Sequence, residues 1–244
     1  MPNPTAAMLT IGDEILSGRT RDSNMPHLAA RLSELGIDMC EARTVPDVAE
    51  EIVAAINALR ARYTHVFTSG GIGPTHDDIT ADCVAAAFGV GIDVRADARA
   101  ILATNYADPE RDLNAARLRM ARIPDGATLI DNPVSKAPGF TLGNVHVMAG
   151  VPSVFEAMVA GLLPTLTGGQ PLLSASLRIE RPEGLIAEPL GALARAHPSV
   201  SIGCYPFNRD GVFGANIVLR SQDPGALAAA EVGLQALAAA LEAR

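Results

Sequence analysis

Short apolar runs alternate with longer segments of helical periodicity along the first part of the chain. The runs at residues 5–11, 37–45 and 63–68 predict strands, and apolar residues recur at helical spacing over residues 25–35 and 79–88. Because alternating strands and helices assemble into right-handed βαβ units, this order predicts an α/β fold. We expect three layers, with a mainly parallel sheet and helices on both of its faces.

Two more helices and a hairpin are predicted in the same part of the chain. One helix follows Pro46, and a basic helix is predicted over residues 113–122. Residues 140–142 and 145–149 predict a hairpin or paired strands. The arginines of the basic helix are expected mostly on a solvated face: Arg117, Arg119 and Arg122. The predicted buried stripe of the helix after Pro46 is Val48, Ile52, Val53, Ile56 and Leu59.

The pattern changes around residues 164–170, which contain Gly168 and Gly169. Beyond them the predicted order is strand, helix, strand, strand and helix, which is typical of a small α+β layer of the split-βαβ type. We therefore predict two domains, an α/β domain over residues 1–168 and a small α+β domain over residues 169–244. The predicted elements of the second domain are 172–179, 185–196, 200–205, 212–219 and 226–241.

The most specific stretch is residues 69–80, Ser-Gly-Gly-Ile-Gly-Pro-Thr-His-Asp-Asp-Ile-Thr, between a predicted strand and a predicted helix. Gly70, Gly71 and Gly73 let the backbone approach a ligand, and the start of a helix presents free amide hydrogens. This strand-to-helix turn therefore predicts an anion site, most plausibly for a phosphate.

Two carboxylates, Asp77 and Asp78, lie beside this predicted phosphate site. Two carboxylates beside a phosphate are electrostatically plausible only if a positive or hydrogen-donating group lies between them. A hard divalent cation, a ribose hydroxyl pair or an amino-bearing ring would each serve. Alternatively, Thr75 and Asp78 form a capping box, and both carboxylates favour the helix dipole. Asp13 and Glu14 follow the first predicted strand, where open α/β sheets bind their ligands, and one of them could equally cap the next turn.

The run from Gly70 to Thr80 resembles the signature of the molybdopterin-binding-like (MoaB/Mog-like) domain in the competence/damage-inducible protein A (CinA) family. The domain also occurs in a eukaryotic FAD synthase. The resemblance covers nearly the whole chain and implies the molybdopterin-binding-like α/β fold and a homo-oligomer, either dimer or trimer. Further matches follow in the same order along the chain, at residues 12–18, 22–24, 137–140 and 150–153.

The resemblance also implies an activity, the metal-dependent hydrolysis of a pyrophosphate bond in an ADP-ribose-like or FAD-like dinucleotide. The alternative is a protein of molybdenum cofactor metabolism that binds molybdopterin or a related pterin phosphate without cleaving it. Asp78, Glu14 and Lys136 are the expected catalytic residues, and Mg, Mn or Co is the expected metal. The expected metal ligands are Glu14, Asp13, Asp77 and Asp78. The expected substrate and phosphate contacts are Ser69, Gly70, Gly71, Gly73, Pro74, Thr75, His76, Ser135, Gly150, Pro152 and Ser153.

The chain departs from the commoner family pattern at two places. Ser135 and Lys136 stand where the family commonly has Gly-Thr, and Ala149 stands in place of a proline. Lys136 adds a cation that could bind a phosphate or stabilise the charge on a leaving group. These changes leave the substrate specificity open.

The composition limits the classes of binding partner that we expect. The chain has 19 lysines and arginines against 27 acidic residues, a net charge of −8, which argues against a broad nucleic-acid footprint. The first residues lack a basic segment followed by an apolar stretch, and no apolar run approaches the length of a membrane span, so we expect a cytoplasmic protein without membrane contact. The nicotinamide-nucleotide amidase domain of larger CinA relatives is expected to be absent, because the chain leaves no room for it.

Cysteines and most histidines are expected to be structural. The three cysteines form no Cys-x-x-Cys pair and are interpreted as buried, inert thiols. His65 and His146 lie in predicted strands and are interpreted as structural. Only His76 lies within the 69–80 stretch, where it could touch a phosphate or donate a proton.

Overall fold

The first 169 residues are built around one mixed sheet. The computed structural model describes residues 2–209 and 211–243. The strands of this first unit are β1 (Thr5–Ile11), β2 (Asp38–Val45), β3 (His65–Ser69), β4 (Ile92–Val94), β5 (Arg122–Pro124), β6 (Thr128–Ile130), β7 (Gly139–Leu142) and β8 (Val145–Met148). Its helices are α1 (Asp13–Leu16), α2 (Asn24–Glu34), α3 (Ala49–Arg62), α4 (Thr80–Phe88), α5 (Ala96–Ala103), α6 (Pro109–Asp112), α7 (Ala115–Leu118) and α8 (Pro152–Leu162).

The strand order of the main sheet is β2-β1-β3-β8-β7-β6. Strand β1 pairs in parallel with β2 and β3, and β3 pairs in parallel with β8. Strands β7 and β6 extend the sheet as antiparallel neighbours, which confirms the predicted hairpin. The predicted fold, a mainly parallel sheet with helices, is therefore confirmed.

The two faces of the sheet carry separate apolar layers. In β1, Leu9 belongs to one layer, whereas Met8 belongs to the other, and both are fully buried. Burial on both faces explains why β1 reads as a continuous apolar run rather than as an alternating one. On one face the layer includes Ile52, Ile56 and Leu59 of α3. On the other it includes Leu28 and Leu32 of α2 with Phe155 and Met158 of α8.

The predicted continuous helix over residues 113–122 is wrong. The four-residue α7 is capped by Asn114, whose side chain accepts from the amide of Arg117, and a 3₁₀ turn at Arg119–Ala121 then leads into β5. The reason is tertiary pairing, because β5 pairs with β4 and buries Ile123. Helical propensity describes only the local sequence, so it does not predict a strand pairing between distant residues.

The predicted stripe of α3 also begins too early. Val48 precedes the helix and is 44% exposed, so the buried face starts at Ile52.

Residues from Gln170 onward form a second compact unit. Its elements are β9 (Leu173–Ile179), α9 (Glu183–Ala196), β10 (Ser201–Arg209), β11 (Val212–Ser221) and α10 (Pro224–Glu242). Both β9 and β10 run antiparallel to β11, which lies between them. They are therefore parallel to each other, and this arrangement is the predicted split-βαβ topology.

Helix α10 contradicts the expectation that no segment has the length and composition of a membrane span. The helix has 19 residues, and a window of 18 of them has a mean hydropathy of 1.4, so it is long and apolar enough to cross a membrane by length and composition only. Its Leu227, Ala230 and Leu234 are buried in the core of the second unit. Core helices of soluble proteins can have the same length and composition, so one such helix is weak evidence for a membrane span.

The cysteines do not share one environment. Cys83 is buried, and burial raises the pKa of its thiol to about 11. Cys40 is exposed and Cys204 is half-buried, so the interpretation of the three thiols as buried is correct only for Cys83. The side chain of Cys40 alternates outward from β2, on the strand at the edge of the sheet.

Candidate functional site

A cleft of about 540 Å³ lies at the carboxyl ends of β1, β3 and β8. Because these strands are parallel, the loops that follow them meet at the same edge of the sheet. The volume falls within the usual range for small-molecule sites. The loops that line it include Gly12 and Glu14 after β1, Gly70 to Gly73 after β3, and Gly150 to Pro152 after β8.

Gly70 and Gly71 are required by the fold of the loop itself. Both have positive φ, and an added Cβ would lie 2.2 Å from the carbonyl oxygen of Ile11 at Gly70, and 2.1 Å from Thr80 Oγ1 at Gly71. Thr80 is fully buried, and its hydroxyl donates to the carbonyl of Gly70 at 3.0 Å. Its amide donates to the carbonyl of Gly71 at the same distance. These glycines thus allow the loop to pack between β1 and the start of α4.

Thr75 and Asp78 are hydrogen-bonded to each other, but they do not form the capping box that the sequence offered as an alternative. The Asp78 carboxylate accepts from the amide of Thr75 at 2.8 Å and from its hydroxyl. Helix α4 begins only at Thr80, and Ile79 at its N-cap makes no side-chain hydrogen bond. The pair therefore closes a turn ahead of the helix and orients the Asp78 carboxylate beside the cleft.

Four carboxylates line the cleft: Glu14, Asp47, Asp77 and Asp78. Asp47 accepts a hydrogen bond from the amide of Asp13 at 3.0 Å. Burial raises the pKa of Asp47 above its ordinary value, despite that hydrogen bond, and the nearby charges of Asp13, Glu14 and Asp77 raise it further. Within residues 2–209 and 211–243, no lysine, arginine or histidine lines this cleft. The wall is therefore strongly negative.

The carboxylates have the donor chemistry of a metal site but not the arrangement of a complete one. Among the described residues, no group of three or more histidine, cysteine or acidic side chains is arranged to hold a metal. The donors are nevertheless the hard oxygens that Mg²⁺ prefers, and Mg²⁺ commonly binds one or two carboxylates together with water and ligand phosphates. The donor chemistry thus fits a cation that binds together with a phosphate ligand.

Asn132 holds the loop of Ser135, another part of the cleft lining. Its side chain is 1% exposed and donates to Ser135 Oγ at 2.7 Å and to the carbonyl of Ala137 at 2.8 Å. Its Oδ1 accepts from the amides of Val134 and Ser135, both at 3.1 Å. A single buried amide therefore fixes the loop that presents Ser135 to the cleft. In the same loop Lys136 adopts a φ of 58°.

The sequence profile described as a probable molybdopterin binding domain matches residues 7–168. The chain belongs to this family. The profile of the FAD synthase middle domain matches residues 171–243. The resemblance to CinA-like proteins is also confirmed, as the following relatives show.

A CinA-like protein of Citrifermentans bemidjiense is 40% identical over 167 residues, which cover 66% of this chain and 40% of the relative. A protein of Aeropyrum pernix is 32% identical over 213 residues, 84% of this chain and 80% of the relative. The crystal structure of a CinA of unknown function from Thermoplasma acidophilum superposes with a TM-score of 0.63 at 32% identity. It covers 68% of this chain and 99% of its own chain. The chain thus spans less than half of the Citrifermentans protein, and 51% of a CinA-like protein of Desulfosudis oleivorans.

The structure brings together some of the residues expected from the family signature. Those that line the cleft are Glu14, Gly70, Gly71, Gly73, Asp77, Asp78, Ser135, Gly150 and Pro152. Those outside its lining are Asp13, Ser69, Pro74, Thr75, His76, Lys136 and Ser153. The side chain of Ser69 is buried and accepts a hydrogen bond from Asn24 at 2.8 Å, whereas that of His76 is 98% exposed.

Sequence reasoning missed Asp47 and Asn132. Asp47 follows the end of β2, the neighbour of β1, and a search of every strand end would have found it. Asn132 begins a loop whose amide network is visible only in three dimensions. The other lining residues that were missed include Gly12, Thr20 and Met120.

Proposed function

We propose that this protein binds a phosphate-bearing dinucleotide in the cleft and hydrolyses its pyrophosphate bond with the help of a divalent metal. The substrate class is ADP-ribose-like or FAD-like. The observation that carries the proposal is the negative wall of Glu14, Asp47, Asp77 and Asp78 beside two glycine-containing turns, without a basic residue in the described lining. A divalent cation would offset the repulsion between this wall and a bound phosphate.

The reaction adds one water across the P–O–P link. The water oxygen bonds to one phosphorus, and the bridging oxygen leaves on the other phosphate, so ADP-ribose yields AMP and a second phosphate monoester. A divalent cation would supply charge neutralisation and lower the pKa of the attacking water. Glu14 and Asp78 would hold that cation, with support from Asp77 and from Asp13, whose amide donates to the Asp47 carboxylate. The turn at Gly70, Gly71 and Gly73 positions one phosphate.

The opposite loop positions the second phosphate. Ser135 lines the cleft and is held by Asn132. Lys136 follows it outside the cleft lining, and the proposal requires its long side chain to reach the leaving phosphate and stabilise the charge there. The Gly150 turn, with Pro152 and Ser153 at the start of α8, closes the same side. The match to an FAD synthase domain in the second unit supports a nucleotide ligand.

The alternative is a molybdopterin or pterin-phosphate binding protein without hydrolytic activity. The description of the matching family supports it. In that case the carboxylates accept hydrogen bonds from the amino and ring nitrogens of the pterin, and binding does not need a metal. In either case we propose a cytoplasmic homo-oligomer, dimer or trimer, that acts on a small molecule.

The test is release of AMP from ADP-ribose and from FAD, measured by chromatography with and without magnesium, manganese or cobalt. We expect metal-dependent release that is lost in Asp78→Asn. Asp38→Asn is the matched control, because Asp38 lies at the amino end of β2, away from the cleft. If no metal supports release from either substrate, the hydrolytic proposal fails, and pterin binding without metal becomes the function to test.

A further inference from the structure

A second chamber, of about 50 Å³, adjoins the cleft near the start of α2. It shares Glu14, Thr20 and Gly150 with the cleft. Its other walls include Asp22 and Asn24, which the family resemblance singled out without a role. The chamber and the cleft therefore share part of one wall.

The orientation of the Asn24 side chain is fixed by its neighbours. The residue is 4% exposed, and its Nδ2 donates to Ser69 Oγ and to the carbonyl of Gly150, both at 2.8 Å. Because a carbonyl only accepts hydrogen bonds, the amide nitrogen must face Gly150. The oxygen, Oδ1, is buried and has no hydrogen-bond partner among the described residues. A buried acceptor of this kind calls for a donor or a cation.

The charge of the chamber favours a cation. The carboxylate of Asp22 accepts hydrogen bonds from the hydroxyl of Thr10 at 3.0 Å and from the amide of Asn24 at 2.8 Å. These neutral donors orient the carboxylate but leave its charge in place. Arg21 also lines the chamber, yet within the described part of the chain no ion pair joins an arginine or lysine to Asp22 or Glu14.

We propose that the chamber binds a divalent metal cation through Asp22, Glu14 and Asn24 Oδ1. All three supply hard oxygen ligands, and the volume leaves room for water to complete the coordination. This site is distinct from Asp77 and Asp78, which line the cleft but not the chamber. The proposal does not depend on hydrolysis, because the cation binds in the absence of a substrate.

The experiment titrates the full-length protein with Mn²⁺ alone and measures free Mn²⁺ by electron paramagnetic resonance. We expect Asp22→Asn to weaken Mn²⁺ binding by at least about tenfold, since it removes a charged ligand. Asp38→Asn makes the same chemical change at the amino end of β2, outside the linings of the cleft and the chamber, and we expect a change of less than about threefold there. A circular dichroism spectrum of each variant verifies that it is folded.

Glu14→Gln is the second variant if Asp22→Asn does not fold, because the Glu14 side chain has no hydrogen-bond partner in the described structure. We expect Glu14→Gln to weaken Mn²⁺ binding by about the same factor as Asp22→Asn. Tight binding that survives Asp22→Asn but is lost in Asp78→Asn would overturn the proposal, and so would the absence of Mn²⁺ binding by the native protein. Mn²⁺ binding that is lost in Asp22→Asn, together with no AMP release, would support the cation site in the chamber and contradict the proposed hydrolysis. The failure of one proposal is therefore distinguishable from the failure of the other.

Discussion

Arg119 donates a hydrogen bond from Nη2 to the backbone carbonyl oxygen of Asp78, at 2.9 Å. Its Nε is buried and has no hydrogen-bond partner among the described residues. Arg119 does not line the main cleft, so it contacts the turn of Asp78 from outside. Arg122 is paired with Asp82 instead, and Arg117 lies over the ring of Tyr106. Of these three arginines, Arg119 is the one bonded to the signature turn.

Replacing Arg119 should therefore affect the geometry of Asp78. Arg119→Met keeps an apolar stem but removes the hydrogen bond, and we expect kcat/KM for dinucleotide hydrolysis to fall about tenfold, as for a loss of ~1.4 kcal/mol. Arg62→Met is the matched control, because Arg62 is a largely exposed arginine of α3. An equal loss in both variants would show that the turn does not depend on Arg119.

Gly71→Ala tests the packing of the signature loop. The added methyl would collide with Thr80 Oγ1 at a position of positive φ, and we expect a loss of about 2 kcal/mol or more in the free energy of unfolding. Gly184→Ala is the control, since no atom lies within 4 Å of its added Cβ. There the helix α9 should be unchanged or gain up to about 1 kcal/mol. Urea denaturation of both variants measures the difference, and a Gly71→Ala variant as stable as Gly184→Ala would contradict the expectation.

Asn132→Asp keeps the acceptors of the side chain and removes its two donated hydrogen bonds. The carbonyl of Ala137 then loses its donor and faces a carboxylate, so we expect a loss of about 1–3 kcal/mol in stability. Nucleotide affinity should also fall, because Ser135 is no longer held. Urea denaturation and calorimetric titration with ADP-ribose measure the two effects. Unchanged values in both would show that the loop does not rely on Asn132.

The acid sensitivity of the fold should depend on His146. Burial, with a smaller effect from the charge of His65, lowers the pKa of His146 to about 3, and His65 Nδ1 lies 3.1 Å from its Nε2. The unfolded chain, with a pKa near 6.5, binds the proton more readily, so stability is full above about pH 6.5 and declines as the pH falls toward about 3. The slope for one proton approaches ~1.4 kcal/mol per pH unit.

His146→Gln should flatten this slope between about pH 6.5 and 5, before most carboxylates titrate. Free energies of unfolding from urea denaturation at several pH values measure it. His76→Gln is the control, because the His76 side chain is 98% exposed and packs against no core. If both variants keep the slope of the native protein, the acid sensitivity has another source.

The sequence by itself determined the main sheet, the hairpin of β7 and β8 within it, and the split-βαβ unit. Each depends on local periodicity and on the handedness of βαβ connections, which the order of apolar and polar residues specifies. It also located the loop from Ser69 to Thr80, because a run of glycines between a strand and a helix is visible without a partner.

Only the tertiary structure decided the rest. Residues 113–122 have helical propensity, but pairing of β5 with β4 ends the helix after one turn. Asp47 and Asn132 join the cleft because separate loops meet at one end of the sheet, and no local pattern records that meeting. The need for glycine at Gly70 arises from the carbonyl of Ile11, 59 residues away in the chain by their numbering. Such contacts between distant segments depend on packing, whereas periodicity depends only on near neighbours.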